Sequence, residues 1–455
     1  MRDPQGRIRF EDGRVLRTLV RALPADHFLR SPLAARWVAE RRLVAFEWQG
    51  DATLASPRLP FVTQPTEWCD AQLHDAAALT LAMQREAVVA GFDLKDASAW
   101  NVLFDGCHPV FCDLLSFVPL AERKWWAMGQ YARHFVFPLL ASRRRGLRAH
   151  EVFAMWRDGM AAPTARRLFG RGLYLTRYGT LLLGETARVA ERHSALAEAL
   201  QPVMQPDTQA RAGTVSFRNG LHSALEWMLA GVAPRPLHDA AAAGWAGYEQ
   251  DRPHYGGDSL QRKRDTVAGW LSRVAPAWVL DMGCNTGEFS RMAVQHGAQV
   301  VALDADHESI ERLYRETPVA VGTRLYPLVA RLDDIGAGRG WAGGEHPGLA
   351  QRLAGRFDLV MMLALVHHLA IGAAVPLEEV ARFAAGCTRD ALIVELIDAS
   401  DPQLVSLCNQ RQRRPEEFSI ELQRAAFRAA GLRIESEVDL TPAGRTLALL
   451  RRVAE

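Results

Sequence analysis

The segment from Asp281 to Gly287, DMGCNTG, constrains the fold of this chain more than any other feature. It follows a short apolar run that ends at Leu280 and precedes an amphipathic stretch with helical spacing. A second acid, Asp304, ends the next apolar run along the chain. This order of strand, glycine turn, helix, strand and acid predicts a nucleotide-type site at the carboxyl edge of a parallel sheet.

The glycine turn is not the dinucleotide fingerprint G-x-G-x-x-G, because Asn285 stands where its second glycine would be. With an acid at its start, the segment resembles motif I of class I S-adenosyl-L-methionine (SAM) methyltransferases. That resemblance implies SAM as the cofactor, backbone close to its methionyl part and an acid on its ribose hydroxyls. The cofactor residues expected from this motif are Asp281, Gly283, Asn285, Gly287, Asp304 and Ala305.

The second half of the chain reads as alternating strands and helices, which predicts an α/β fold with a doubly wound (Rossmann-like) parallel sheet. Two closing strands predict an antiparallel hairpin at the sheet edge. In a helix predicted over 417–430, the spacing favours one buried stripe formed by Leu422, Ala425, Ala426, Ala429 and Ala430.

Further polar residues follow the later strands or precede the first one. Asp333 or Asp334 suits the adenine amino group, or else caps a helix. Leu363 ends the fourth strand beside the expected methyl position, and the catalytic candidates follow: His367, His368 and Glu395. Histidine is the natural base near neutral pH. The simpler interpretation is that one histidine of this pair caps a helix and the other packs in the core.

The segment before the first strand resembles the N-terminal cover of small-molecule methyltransferases. In it, Tyr255 and Lys263 are expected to reach the SAM carboxylate or the acceptor. The simpler alternative is a packing tyrosine and a surface lysine.

The first half contains Asp96 and Asn101 at the D-x-x-x-x-N spacing of a kinase catalytic loop, and Asp113 ends the hairpin that follows. These residues resemble protein kinases and aminoglycoside phosphotransferases, in which the first acid faces the acceptor hydroxyl and the other two hold magnesium. A glycine-rich loop is missing, no lysine precedes Lys95, and Leu114 follows Asp113. Because phosphoryl transfer needs these parts together, we expect a degenerate site.

We therefore predict three parts: a kinase-like α+β domain over 1–135, a helical segment and hinge over 136–240, and a class I methyltransferase domain over 241–455. The net charge of +2 argues against a dedicated nucleic-acid partner. The six cysteines contain no C-x-x-C pair, so no zinc site or other metal is expected and a reducing cytoplasm is predicted. The longest clean apolar run, Leu359 to Val366, is too short for a bilayer.

The whole chain resembles bacterial two-part methyltransferases of a nodulation-protein-like group, through the strings PTEW, LKDASAWNV, DMGCNTG and LALVHHLAI. This resemblance implies SAM-dependent methyl transfer, for which we predict a small or specialised metabolite as acceptor. Three alternatives remain open at this point. The first is a bifunctional chain whose first half is an active nucleotide-dependent transferase. The second is a methyltransferase for a macromolecule that the first half docks, and the third is a protein that binds SAM without catalysis. The oligomeric state is left open.

Overall fold

The computed structural model describes residues 6–184, 208–235, 257–440 and 444–453. The chain forms two compact units, Met1–Pro236 and Leu237–Glu455. None of the helices in the described ranges is both long and apolar enough to cross a bilayer.

The N-terminal unit begins with a four-stranded antiparallel sheet. Its strands are β1 (Gly6–Glu11), β2 (Arg14–Leu19), β3 (Glu47–Trp48) and β4 (Thr53–Pro57), in the order β1-β2-β4-β3. The first hairpin turns at Asp12 and Gly13, both with positive φ, 46° and 72°. Two short antiparallel ribbons follow, in which β5 (Phe92–Leu94) pairs with β8 (Phe117–Pro119) and β6 (Val102–Asp105) with β7 (His108–Phe111).

Helices make up the rest of this unit. They are α1 (Pro32–Ala39), α2 (Asp70–Ala90), α3 (Met128–Tyr131), α4 (Phe137–Arg145), α5 (Ala149–Met155), α6 (Ala162–Phe169), α7 (Gly179–Gly184) and α8 (Thr208–Ala230). The long helix α2 ends at Gly91, whose φ of 89° suits glycine because a Cβ is disfavoured there. Its buried face packs on α8 and on β5.

The C-terminal unit contains a seven-stranded sheet. Its strands are β9 (Trp278–Met282), β10 (Gln299–Asp304), β11 (Leu325–Val329), β12 (Phe357–Met362), β13 (Thr388–Ile397), β14 (Leu432–Asp439) and β15 (Arg445–Arg452). The order is β11-β10-β9-β12-β13-β15-β14, with the first five strands parallel and the last two antiparallel. The predicted doubly wound sheet with an antiparallel edge is confirmed.

Helices connect these strands. They are α9 (Gly257–Val274), α10 (Glu288–Gln295), α11 (His307–Glu316), α12 (Val319–Gly322), α13 (Leu349–Leu353), α14 (Leu377–Cys387), α15 (Pro402–Gln410) and α16 (Ile420–Ala429). The parallel strands are almost fully buried, as expected for a sheet covered on both faces. Their carboxyl ends therefore meet at one rim, where the predicted site residues lie.

The buried face of α16 differs from the predicted stripe of apolar residues. Leu422 is 49% exposed, whereas Gln423, Ala426 and Phe427 are buried. The Gln423 amide donates to the carbonyl oxygens of Ile397, at 2.8 Å, and Phe418, at 2.9 Å. A side-chain amide can be buried when its hydrogen bonds are made. The polar residue Gln423 therefore lies on the buried face of α16, where the apolar pattern predicted leucine and alanine.

Candidate functional site

The loop between β9 and α10 turns through three residues with positive φ: Gly283 (73°), Asn285 (49°) and Gly287 (82°). A Cβ on Gly287 would overlap the Leu313 side chain, and one on Gly283 would lie 3.0 Å from Leu365 Cδ1. Both glycines are thus required by conformation and by space. Asparagine is among the residues that tolerate this backbone region, so Asn285 fits the turn.

Asp304 at the end of β10 orders this loop. Its Oδ2 accepts a hydrogen bond from the Asn285 amide at 2.8 Å, and its Oδ1 accepts one from the Asp306 amide at 2.8 Å. Burial raises the pKa of Asp304, and the backbone hydrogen bonds of Asp306, Asn285 and Ala305 oppose that rise. The carboxylate therefore joins the glycine loop to the loop that starts α11.

Asp281 lies in β9, one residue before the strand ends, and is 2% exposed. Its Oδ2 accepts a hydrogen bond from Ser290 Oγ, in the first turns of α10, at 2.5 Å. Burial raises the pKa of Asp281 to about 7; the charge of Asp304 adds to the rise, and the Ser290 hydrogen bond and Lys263 oppose it. Two acids thus lie at adjacent strand ends, Asp281 buried and Asp304 partly buried.

The remaining predicted cofactor residues lie at the same rim or outside the described residues. Asp333 and Asp334 are exposed in a 3₁₀ turn after β11, where Arg331 Nη2 lies 2.6 Å from Asp333 Oδ2. Ala305 is exposed after β10, and Leu363 is buried directly after β12. Tyr255 lies outside the described residues.

The histidine pair lies just beyond β12. His367 is 4% exposed and precedes a π-helix, His368–Gly372, and the two imidazole centroids are 4.1 Å apart. Within the described part of the chain, His367 Nδ1 has no hydrogen-bond partner. Burial lowers the pKa of both rings, that of His368 to about 4, and Arg445 contributes to both shifts. The lowered pKa favours the neutral form of both imidazoles and makes each a weaker base than a free histidine.

Glu395 and Lys263 contact each other, which the sequence did not predict. Glu395 is fully buried; its Oε2 lies 2.6 Å from Lys263 Nζ, and its Oε1 lies 3.1 Å from Arg445 Nη1. Lys263 is only 4% exposed, so it is not a surface lysine. A carboxylate held between two cations is a poor ligand for an acceptor, and a paired lysine is a poor ligand for the SAM carboxylate. The pairing therefore speaks against the direct contacts predicted for both residues.

Arg445 and Asp401 belong to this site although no motif marked them. Arg445 Nε donates to Asp401 Oδ2 at 2.8 Å, and its Nη2 donates to Gln403 Oε1 at 3.1 Å. The other oxygen of Asp401 caps α15 by accepting from the amides of Gln403 and Leu404. The one local signal is Asp401 before Pro402, a typical helix start; nothing local singles out Arg445 among the many arginines.

In the N-terminal unit, the kinase-like acid Asp96 is held by its own loop. Its Oδ1 accepts from the Ser98 amide at 3.1 Å and from Gln130 Nε2 at 2.6 Å. Asn101 Nδ2 donates to the Asp96 carbonyl oxygen at 3.1 Å. Burial raises the pKa of Asp96, and the charge of Asp113 raises it further, so the two acids lie within electrostatic reach.

Asp113 is held by a cation from the first sheet. Its Oδ1 lies 3.1 Å from Arg17 Nη1, and its Oδ2 accepts from Ser116 Oγ at 2.5 Å. The Arg17 side chain is only 10% exposed and starts on β2. The carboxylate at the position that holds magnesium in kinases thus already has a positive partner within this unit.

Comparison with known proteins identifies the C-terminal unit. Residues 253–437 match the sequence model of the family described as "Methyltransferase domain". The nodulation protein NoeA of Rhizobium meliloti (strain 1021) is 28% identical over 402 residues, which is 83% of this chain and 80% of that protein.

Solved structures with a similar part include the magnesium protoporphyrin IX methyltransferase of Synechocystis PCC 6803 with bound SAM. It is 16% identical, the match covers 48% of this chain and 100% of that chain, and the TM-score is 0.33. WbdD, described as a bifunctional kinase-methyltransferase, is 23% identical over 43% of this chain and 38% of its own, with a TM-score of 0.30.

The family match spans the glycine loop, the acid at the end of β10 and the histidine pair. It therefore coincides with the sheet rim on which those residues lie. Residues 253–437 form a methyltransferase domain, the chain is similar to the nodulation protein NoeA over most of its length, and it is a SAM-dependent methyltransferase.

Proposed function

We propose that the C-terminal unit transfers the methyl group of SAM to a small-molecule acceptor at the carboxyl end of β12. The observation that carries this proposal is the burial of the histidine pair, since His367 is only 4% exposed. A small acceptor can enter such an interior position, whereas a folded macromolecule presents its reactive group to exposed side chains. The net charge of +2 also favours an acceptor other than nucleic acid.

The residues at the rim fit SAM. Gly283 and Gly287 bring backbone close to the methionyl part, and Asp281 compensates its ammonium group. Asp304 accepts hydrogen bonds from the ribose hydroxyls through the lone pairs that its contacts with backbone amides leave, since a carboxylate accepts about four. Asp333 or Asp334 accepts from the adenine amino group, beside Ala305, and Leu363 lines the methyl side.

SAM supplies an electrophilic methyl on a sulfonium sulfur. The protein holds the acceptor in line with that methyl, and such positioning accounts for much of the rate. If the acceptor carries a proton, a neutral imidazole of His367 or His368 takes it. Glu395 acts through Lys263 and Arg445 rather than by touching the acceptor.

The N-terminal unit, in this proposal, does not transfer phosphate. Arg17 pairs with Asp113, and Asp96 is held by Ser98 and Gln130. Both acids thus serve the stability of their own loops. All six cysteines are free, which supports action in a reducing cytoplasm.

The test is a transfer assay with the full chain and methyl-labelled SAM. Pools of small hydroxylated and amine metabolites are offered in parallel with protein and RNA fractions, and S-adenosylhomocysteine release is measured. We expect label in a small molecule, lost in Asp304→Ala. Label found only in protein or RNA would overturn the small-acceptor proposal.

A further inference from the structure

A buried chain of four alternating charges crosses the rim of the C-terminal sheet. Lys263 on α9 pairs with Glu395 on β13, Glu395 with Arg445 on β15, and Arg445 with Asp401 at the start of α15. Glu395, Arg445 and Asp401 are at most 2% exposed, and the four charges sum to zero. Arg445 contacts three residues here, because its planar guanidinium reaches Glu395, Asp401 and Gln403 at once.

The contacts of Arg445 continue to the histidine pair through an apolar cluster. Leu404 and Cys408 on α15 pack with Ala370 and Ile371 of the π-helix that begins at His368. Since Arg445 holds the first turn of α15 through Asp401 and Gln403, it also fixes the surface on which that π-helix rests. π-Helical turns occur frequently at functional sites.

We propose that Arg445 is a positioning residue for methyl transfer: by holding α15 it orients the π-helix that presents His367 and His368 to the acceptor. This inference rests on the proposed function, because it gives the histidine pair its role at the methyl position. Through Glu395, the contacts of Arg445 extend to Lys263 on α9. Lys263 Nζ lies 5.2 Å from the ring centroid of Phe289 on α10.

The charges around the histidine pair agree with this role. Arg445 acts on both imidazoles and lowers their pKa together with burial, while Glu395 opposes the shift at His367 and His368 adds to it. Position and charge can be separated by two variants. Arg445→Lys keeps the cation but loses the planar fork, and Arg445→Gln loses both.

The experiment uses the full chain labelled with carbon-13 at the histidine rings, with and without S-adenosylhomocysteine. Signals are assigned by His367→Gln and His368→Gln. We expect Arg445→Lys to move the ring signals of His367 and His368 while the pKa of His368 stays low, and Arg445→Gln to raise that pKa as well. With an acceptor found by the transfer assay, Arg445→Lys should lower kcat by about tenfold with KM for SAM unchanged.

Arg451→Lys is the matched control, because Arg451 lies on the same strand β15 and pairs with Asp390 and Glu435 outside the rim. It should leave both histidine signals in place. If Arg445→Lys does not fold, Gln403→Ala removes one partner without stranding a charge and should move the same signals by a smaller amount.

Unchanged histidine signals in folded Arg445→Lys, or in Gln403→Ala, would overturn the positioning role. Failure of the unsubstituted chain to bind S-adenosylhomocysteine in calorimetry would instead count against the proposed function. The two failures are therefore distinguished by different measurements on the same protein.

Discussion

Each unit of this protein places two acids close together, but the partners of those acids differ. In the N-terminal unit, Asp96 and Asp113 are held largely by side chains, including the Arg17 cation. In the C-terminal unit, Asp304 is held by backbone amides of two loops, and the turn before it depends on glycines.

Under the proposed function, this difference separates an acid that serves stability from one that serves a ligand. A carboxylate paired with an internal guanidinium has its charge compensated before any ligand arrives. A carboxylate on backbone amides keeps its negative charge and has lone pairs left for hydroxyl groups. The same residue type at a strand end therefore leads to different expectations in the two units.

The largest effect is expected from Gly287→Ala. The new Cβ overlaps Leu313 and forces a left-handed residue, which alone costs about 1–2 kcal/mol. Calorimetry with S-adenosylhomocysteine should show affinity lowered by more than about tenfold, a loss above about 1.4 kcal/mol.

Gly297→Ala is the control for that change. Gly297 has a φ of 94° but open space around its Cβ position, so it carries the backbone strain without the overlap. The affinity of the Gly297→Ala variant for S-adenosylhomocysteine should stay close to that of the unsubstituted chain. Equal losses of affinity in the two variants would show that the loop geometry is not specific to the ligand.

Asp304→Ala should weaken S-adenosylhomocysteine binding by about 1–3 kcal/mol, the cost of unpaired ribose hydroxyls and a loosened loop. Asp306→Ala is the matched control, because Asp306 caps α11 through the Glu308 amide and Ser309 Oγ. It should lower thermal stability by about 1 kcal/mol, the usual value of an N-cap, and leave affinity in place. Unchanged affinity in Asp304→Ala would remove this acid from the cofactor site.

Arg17→Met tests the other half of the comparison. Removal of the cation leaves Asp113 largely buried with one partner fewer, so the free energy of unfolding should fall by about 1–3 kcal/mol without any change in S-adenosylhomocysteine affinity. Arg14→Met, which breaks the exposed pair with Glu47, should cost less than about 1 kcal/mol. Magnesium-dependent ATP turnover by the unsubstituted full chain that is lost in Asp96→Asn would contradict a purely structural role for this pair of acids.

The last effect concerns pH. The pKa of Asp281 is raised by burial from its ordinary 3.8 to about 7 in the folded chain. Between these values the folded state binds the proton that the unfolded state has lost, so this group makes stability fall as pH rises from about 4 to about 7. Asp281→Asn should flatten that part of the stability curve, measured by urea unfolding at several pH values.

The sequence alone was sufficient for the parts of the fold with local causes. The turn Asp281 to Gly287, the acid after β10 and the end of α2 at Gly91 depend on the conformations of single residues and on short apolar runs. The same patterns failed where a polar side chain is buried by satisfied hydrogen bonds, as Gln423 is in α16. The periodicity of a sequence shows which positions are polar. Whether a polar side chain is buried depends on whether its hydrogen bonds are made in the folded chain.

Tertiary structure alone decided the partners of the charged residues. Lys263 and Glu395 are 132 residues apart in the chain, and Arg445 lies 50 residues from Glu395 and 44 from Asp401. No local pattern encodes such pairs, because an ion pair requires only that two strands or helices bring the charges within reach. The sequence therefore predicted a SAM site at this rim, and the packing of the sheet and helices decided which charged residues there are held by one another.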